Sequence, residues 1–280
     1  MHFLIRLISL LSMNIYAYRF IQNQLFKFSK IVTIDLRNNI KMKLVLGDLI
    51  PNYIYHFRIW EPNLTNYILS KKNELKQRSF IDIGANIGYY TILVCKSICC
   101  KTYSYEPTPY LNKQLLDNIK LNDITNVEVK QLAISNSNKK VKIYEGHKLN
   151  KGSAGISSKD KSGNFFQVES TTLKDELKKW EPPPKLIKID TEGSEYLILH
   201  ELGCLLDILP SDIEFIIEIN PELIGFENAN SILDTFVNNS FNAYEVPNSY
   251  DIEFYINKYF EGIKKLNYPI YTQKDILFKR

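Results

Sequence analysis

The chain has 280 residues, 45% apolar and 24% charged, enough to bury a sizeable core within one large domain. Thirty-five Lys and Arg against 31 Asp and Glu give a formal net charge of +4, too small and too scattered an excess to mark a nucleic-acid-binding surface. Cys95, Cys99, Cys100 and Cys204 form no doubled C-x-x-C pattern and have no spaced histidines. Neither a metal site nor a disulfide framework is therefore expected, and the chain reads as cytoplasmic.

Residues 1–29 come first. Leu7 to Tyr18 is mostly apolar but contains Ser9, Ser12 and Asn14 and lies between Arg6 and Arg19. Such a run is shorter than the roughly 20 apolar residues that cross a bilayer, and its start and end do not resemble a signal peptide. It reads as a helix packed on the domain, with peripheral membrane contact through residues 3–20 the less favoured alternative. Residues 30–75 read as a small β extension and a leading helix. Strand-like runs occur at Ile31–Leu36, Lys41–Leu46 and Tyr53–Trp60, with turn chemistry at Asn38-Asn39 and Gly47-Asp48. Glu61-Pro62 then opens a helix through Ser70.

From 76 to 280 the rhythm becomes strand, turn, helix. Phe80–Ile83 is a buried-type strand, followed by a glycine turn, a helix over Tyr89–Cys99, a strand at Thr102–Tyr105, a helix over Pro109–Leu121 and a third strand at Val127–Ile134. Residues 137–172 are polar and turn-rich, with short strand patterns at Lys140–Tyr144 and Phe165–Val168, and read as a variable insertion on the substrate side. Leu173–Trp180 forms a short helix that Pro182-Pro183-Pro184 must stop. Leu186–Ile189 and Ile213–Ile219 are fully buried strands, Ala229–Asn238 is a helix, and Phe241–Val246 and Ile276–Lys279 add last strands at a sheet edge. This alternation predicts an α/β fold with a doubly wound, mostly parallel sheet.

Three blocks carry chemistry. The first is Asp82-Ile83-Gly84-Ala85-Asn86-Ile87-Gly88 at a strand–helix junction. Gly84 suits a left-handed turn that approaches a ligand, and Gly88 opens a helix whose free N–H groups attract an anion. A dinucleotide fingerprint has glycine where this chain has Asn86 and Tyr89. An amino-acid cofactor fits better, with Asp82 near its ammonium or sulfonium. The second block is Glu106, twenty-two residues after Gly84 and ending the next strand, where a carboxylate can accept both hydroxyls of a ribose. The third is Lys188-Ile189-Asp190-Thr191-Glu192-Gly193-Ser194-Glu195, in which Asp190 ends a buried strand. Asp190 and Glu192 are candidates to orient a hydroxyl and take its proton, and Glu218 and Asn220 end a neighbouring strand. Taken without a ligand, these features are also those of a glycine turn with first-turn helix acids.

Phe80 to Gly88, the Tyr105-Glu106-Pro107 step, Asn118, Asn122, and Leu186 to Glu195 together resemble the FkbM family of methyltransferases over about residues 55–240. The resemblance implies a Rossmann-like fold, S-adenosylmethionine as methyl donor, and O-methylation of hydroxyls on sugars, glycans or secondary metabolites. It further implies that Gly84, Ala85, Asn86 and Gly88 hold the methionine portion, Glu106 the ribose, and Leu132 and Ala133 lie near the adenine, with Asp190 and Glu192 lining the cleft. Asp190 is the first candidate base and Glu192 the second, ahead of His147 and His200. The rival readings are an NAD-dependent oxidoreductase on the same fold and a non-catalytic methyltransferase-like binding module.

Overall fold

Along the central strands, successive residues enter two different cores, the mark of strands covered on both faces. Phe80, Leu186, Ile216 and Leu277 pack into one apolar cluster, whereas Ile81, Ile187, Phe215, Ile217, Ile276 and Phe278 pack into the other. The structure, a computed structural model, describes residues 30–144, 165–200, 202–206, 208–251, 254–255 and 261–280. The segment 1–29 with its expected helix, and His147, lie outside the described residues. Among the described residues no helix is long and apolar enough to cross a membrane.

The hairpin β1 (Ile31–Asp35) and β2 (Lys41–Val45) leads into α1 (Leu49–Phe57) and α2 (Pro62–Ser70). Then follow β3 (Ser79–Ile83), α3 (Tyr89–Ser97), β4 (Lys101–Tyr105), α4 (Pro109–Leu121) and β5 (Val127–Lys130). β6 (Ala133–Ser135), β7 (Val141–Tyr144), β8 (Phe165–Val168) and β9 (Ser170–Thr172) form two small sheets, β6 with β9 and β7 with β8. After α5 (Leu173–Leu177) come β10 (Pro184–Ile189), α6 (Glu195–Leu199), β11 (Glu214–Ile219), α7 (Phe226–Asn238), β12 (Asn242–Val246), β13 (Lys264–Lys265) and β14 (Lys274–Lys279).

Eight strands form the main sheet in the order β13-β12-β14-β11-β10-β3-β4-β5. The five from β11 to β5 are parallel, and β14, β12 and β13 follow beside β11, each antiparallel to its neighbour. The fold is therefore the doubly wound, mostly parallel α/β sheet that the alternation of elements predicts. From β3 the chain builds outward through β4 and β5, then resumes on the other side of β3 with β10 and β11. Where the winding reverses, the carboxyl ends of β3 and β10 open a crevice.

Three sequence expectations differ from the structure. The run Tyr53–Trp60 is not a strand: its first part lies in α1. Asp48 caps that helix by accepting the Leu49 N–H at 2.7 Å, Pro51 stands in the first turn, and Leu49, Tyr53 and Ile54 are buried on it. The alternating rings of Tyr53, Tyr55 and Phe57 imitate a two-residue period. The third strand does not reach Ile134, because β5 stops at Lys130 where its partner β4 gives way to Glu106-Pro107, and proline offers no N–H to continue a ladder. Ala133–Ser135 pairs with β9 instead. Nor are the last strands at the sheet edge: the apolar run in β14 sits between β11 and β12 with Asp275 to Phe278 buried.

Asn118 and Asn122 bind the hairpin to the domain. β2 has one ladder, to β1, and its other edge is met by amide side chains of α4. Asn118 accepts the Lys43 N–H at 2.7 Å through Oδ1 and donates to the Ile87 carbonyl at 3.1 Å. Asn122 accepts the Lys41 N–H at 2.8 Å and donates back to the Lys41 carbonyl at 2.7 Å. These pairs satisfy a strand edge that would otherwise bring unpaired polar groups against the core. Asn118→Ala is expected to lower stability by about 1–3 kcal/mol in urea denaturation, with an unchanged denaturant slope. Ser70→Ala, which removes an exposed contact to the Tyr67 carbonyl, is expected to stay within about 0.5 kcal/mol.

Candidate active site

The turn after β3 is shaped by how closely β10 approaches it. Gly84 has φ +85, and a Cβ there would lie 1.7 Å from the carbonyl oxygen of Asp190. Glycine is required because a neighbouring backbone occupies the side-chain position. Asn86 has φ 54, a left-handed conformation that asparagine tolerates better than most residues, and its Oδ1 accepts the Ile87 N–H at 2.8 Å. Gly88, φ +89, caps α3, and a Cβ on it would lie 2.4 Å from Leu115 Cδ1.

Every N–H in this turn already has an acceptor. Those of Gly84 and Ala85 donate to the Tyr105 carbonyl at 2.9 and 3.0 Å, and that of Gly88 donates to Ala85. The Asn86 N–H donates to Glu106 at 2.8 Å. The amides of residues 84–88 are therefore engaged within the protein, and the helix-opening amides expected to attract an anion belong to the first turn of α3, from Tyr89 on.

Glu106 follows β4 and is 4% exposed. One of its oxygens takes the Asn86 N–H, and the other takes the Thr108 N–H at 2.8 Å. Burial outweighs these bonds and pushes its carboxyl up to about 7.

The turn after β10 is held from behind. Glu195, buried on the first turn of α6, accepts the N–H and hydroxyl of Thr191 and the N–H of Gly193. Glu192 is thereby kept at φ 54, a conformation costly for a side chain of its size and typical of functional turns. Burial, and then the charges of Asp190 and Glu195, push its carboxyl up to about 8. Asp190 is salt-bridged to Lys188, Nζ to Oδ2 at 2.7 Å.

These turns enclose one cavity of about 300 Å³. Gly84, Ala85, Asn86, Glu106, Leu132, Ala133, Asp190 and Glu192 all line it, so the structure brings together eight of the ten residues singled out from sequence. Asp82 and Gly88 are not among the lining residues. Asp82 is buried and points toward α3, accepting the Thr91 hydroxyl at 2.7 Å beside Lys188 in the strand register. It supports the site from beneath, contrary to the expectation of direct contact. Asn220 caps the short helix after β11 rather than lining the cavity, and His200 is exposed at the end of α6.

Among the lining residues that sequence reasoning left unassigned are Glu61, Tyr90, Lys188 and Tyr250. Glu61 precedes α2 with φ 40 and accepts the hydroxyls of Tyr90 at 2.6 Å and Tyr250 at 3.1 Å and the Asn248 amide at 3.1 Å. In sequence it looked like a helix cap. Lys188 opens the third sequence block, but its burial beside Asp82 and Asp190 becomes visible only from strand register. Tyr250 lies far along the chain from the other three blocks, so no local pattern announces it.

The description "Methyltransferase FkbM domain" belongs to the family model that matches residues 82–256. Among solved structures, the chain is similar to a precorrin-6y C5,15-methyltransferase from Geobacter metallireducens. The two are 11% identical over 78% of this chain and 87% of that one, with a TM-score of 0.43. A methyltransferase FkbM from Methylobacillus flagellatus is 12% identical over 82% of this chain and 60% of that one, TM-score 0.47. TYW2 of M. jannaschii, solved in complex with AdoMet, is 13% identical over 90% and 88%, TM-score 0.39. No curated protein matches the chain.

The packing of Gly84 against Asp190 yields a direct test. Gly84→Ala must both strain a left-handed residue and drive a methyl group into a backbone carbonyl, a cost of about 3 kcal/mol or more. Gly88→Ala meets the movable end of Leu115 and is expected to cost about 1–2 kcal/mol, mainly from its φ. Denaturation midpoints of the two variants should fall in that order.

Proposed function

The chain belongs to the FkbM methyltransferase family, and we propose from that premise that it methylates a hydroxyl oxygen on a sugar, glycan or secondary metabolite. One observation supports this above the others: Glu106, after β4, and the pair Asp190 and Glu192, after β10, wall the same cavity on either side of the Gly84 turn. The cofactor is S-adenosylmethionine, and the lining suits it. Apolar Leu111, Leu132 and Ile134 offer an adenine-sized wall beside Glu106, whose oxygens retain lone pairs for ribose hydroxyls. The carboxylates beyond Gly84 suit a ligand bearing positive charge. A dinucleotide suits it poorly, because its phosphates would meet occupied amides and carboxylates. When bound, the cofactor supplies a methyl group already activated by its sulfonium.

The chain's own residues then have two tasks. They hold the acceptor oxygen in line while excluding water, and they remove its proton. Glu192 is the better base. Asp190 is engaged by Lys188, whereas Glu192 is held into the cavity by its turn and has a carboxyl poised near neutrality. The order of the two candidates from sequence is thereby reversed. Asp190 and Lys188 act as a positioning pair, and Glu195 fixes the turn that presents the base.

S-adenosylhomocysteine is expected to raise the melting temperature and NAD to leave it unchanged, since only a ligand of the folded state stabilises it. Glu106→Gln is expected to weaken S-adenosylhomocysteine about 10-fold, the equivalent of about 1.4 kcal/mol. Loss of either result in calorimetry removes the cofactor assignment.

Glu192→Gln is expected to lower kcat about 10²–10⁴-fold while leaving S-adenosylhomocysteine binding intact. A base acts in its deprotonated form. Wild-type kcat should therefore rise with pH and level off above about 8, with the inflection lowered toward neutrality if the bound cation favours the carboxylate. A rate profile that is flat from pH 6 to 9 in a chemistry-limited assay would eliminate Glu192 as the base.

A further inference from the structure

Five carboxylates line the cavity, those of Glu61, Glu106, Asp190, Glu192 and Glu218, and Lys188 is the one cationic side chain among the lining residues. The protein itself accounts for three of them. Glu61 accepts two tyrosine hydroxyls and an amide. Glu106 accepts two main-chain N–H groups. Asp190 is paired with Lys188. Two are left over.

Glu192 lines the cavity and has no hydrogen bond and no ion pair within 4 Å among the described residues. Glu218 ends β11 and is 8% exposed. Its Oε1 takes the Gln273 amide, and its Oε2 has no partner among the described residues. Burial first, then the charges of Asp190, Glu192, Asp275 and Glu61, push the Glu218 carboxyl well above its usual range. The surroundings of Glu218 thus oppose its negative charge from several sides.

A neutral hydroxyl donating to Oε2 answers the hydrogen-bonding need but leaves the surroundings still opposing the charged carboxylate. A cation answers both. S-adenosylmethionine carries one net positive charge, too little to hold both Glu192 and Glu218 in their charged forms against these surroundings. Trp60 and Tyr250 add aromatic faces to the lining, their rings stacked at 5.4 Å between centroids, and such faces also favour a cation.

We propose that the acceptor carries a protonated amine close to the hydroxyl that is methylated, and that Glu218 receives this amine while Glu192 faces the hydroxyl. Glu218 is then a specificity-determining residue for an amino-alcohol acceptor. This rests on the methyl-transfer reading given above.

The test uses wild-type protein saturated with S-adenosylhomocysteine, titrated by thermal shift with D-glucosamine, N-acetyl-D-glucosamine and D-glucose. The same three sugars are assayed as acceptors of labelled methyl from S-adenosylmethionine. N-acetylation removes the charge and keeps the hydroxyls, so the comparison needs no variant to fold. Glucosamine is expected to act at concentrations about 10-fold lower than either neutral sugar, and Glu218→Gln is expected to erase that advantage with S-adenosylhomocysteine binding unchanged. Equal responses to the three sugars, no response to any of them, or a preference that survives in Glu218→Gln overturns the proposal. If S-adenosylhomocysteine itself fails to stabilise the wild type, the methyl-transfer reading falls and takes this one with it. If it stabilises and glucosamine has no advantage, only the amine assignment falls.

Discussion

The site depends on the contact between two backbones at the carboxyl ends of β3 and β10. The Asp190 N–H donates to the Ile83 carbonyl at 3.0 Å, and the Asp190 carbonyl fills the space where Gly84 lacks a Cβ. This approach closes the junction at which the winding of the sheet reverses. It also fixes the relative position of the two turns that wall the cavity. Were Gly84 any other residue, the strands would have to separate, and Glu106 and Glu192 would no longer face a common space.

Beneath that contact lies a polar lattice inside an otherwise apolar sheet. Asp82 and Lys188 are neighbours in the parallel register, and Ser104 flanks Asp82 on the other side. Thr91 of α3 bonds both Asp82 and Ser104, and Lys188 reaches on to Asp190. Buried charge of this kind is stable only when paired and hydrogen-bonded. The positive charge of Lys188 offsets part of the repulsion among the carboxylates above it, and Lys188 is in turn held firmly protonated by Asp190, Asp82 and Glu61. The lattice thereby couples the rigidity of the sheet to the chemistry of the cavity.

Much of this was legible in the sequence because strong local signals and global demands agreed. The alternation of apolar runs with amphipathic stretches gave the fold class, and the helix Pro109–Leu121 matches its expected bounds. The glycine turn, the acid after β4 and the block after β10 fall on one cavity because parallel strands bring their carboxyl ends to one edge. What could not be read was anything set by register or by distant contacts. Asp82 looked like a ligand-facing acid, but its parity along β3 turns it toward α3. Glu61 and Tyr250 meet across 189 positions of chain, and no local pattern encodes such a meeting. The aromatic alternation around Tyr53 misled because helix capping by Asp48 outweighs it. The amides of Gly84, Ala85 and Asn86 are occupied for a similar reason: their acceptors, Tyr105 and Glu106, come from another strand and the residue after it.

The way Glu61 is held carries a consequence for how such a chain can diverge. The half of the cavity around Glu106 is assembled from a contiguous stretch, Ile83 to Ile134, in which each part constrains the next. The opposite half draws on Trp60 and Glu61 before β3 and on Glu218, Tyr250 and Gln273 far after it, segments distant in sequence from the first half and joined to it where Tyr90 donates to Glu61. Selection can therefore rework the second set through substitutions outside the stretch that builds the first. Descendants of one ancestor would keep the same nucleoside-sided wall while exploring different molecules across from it.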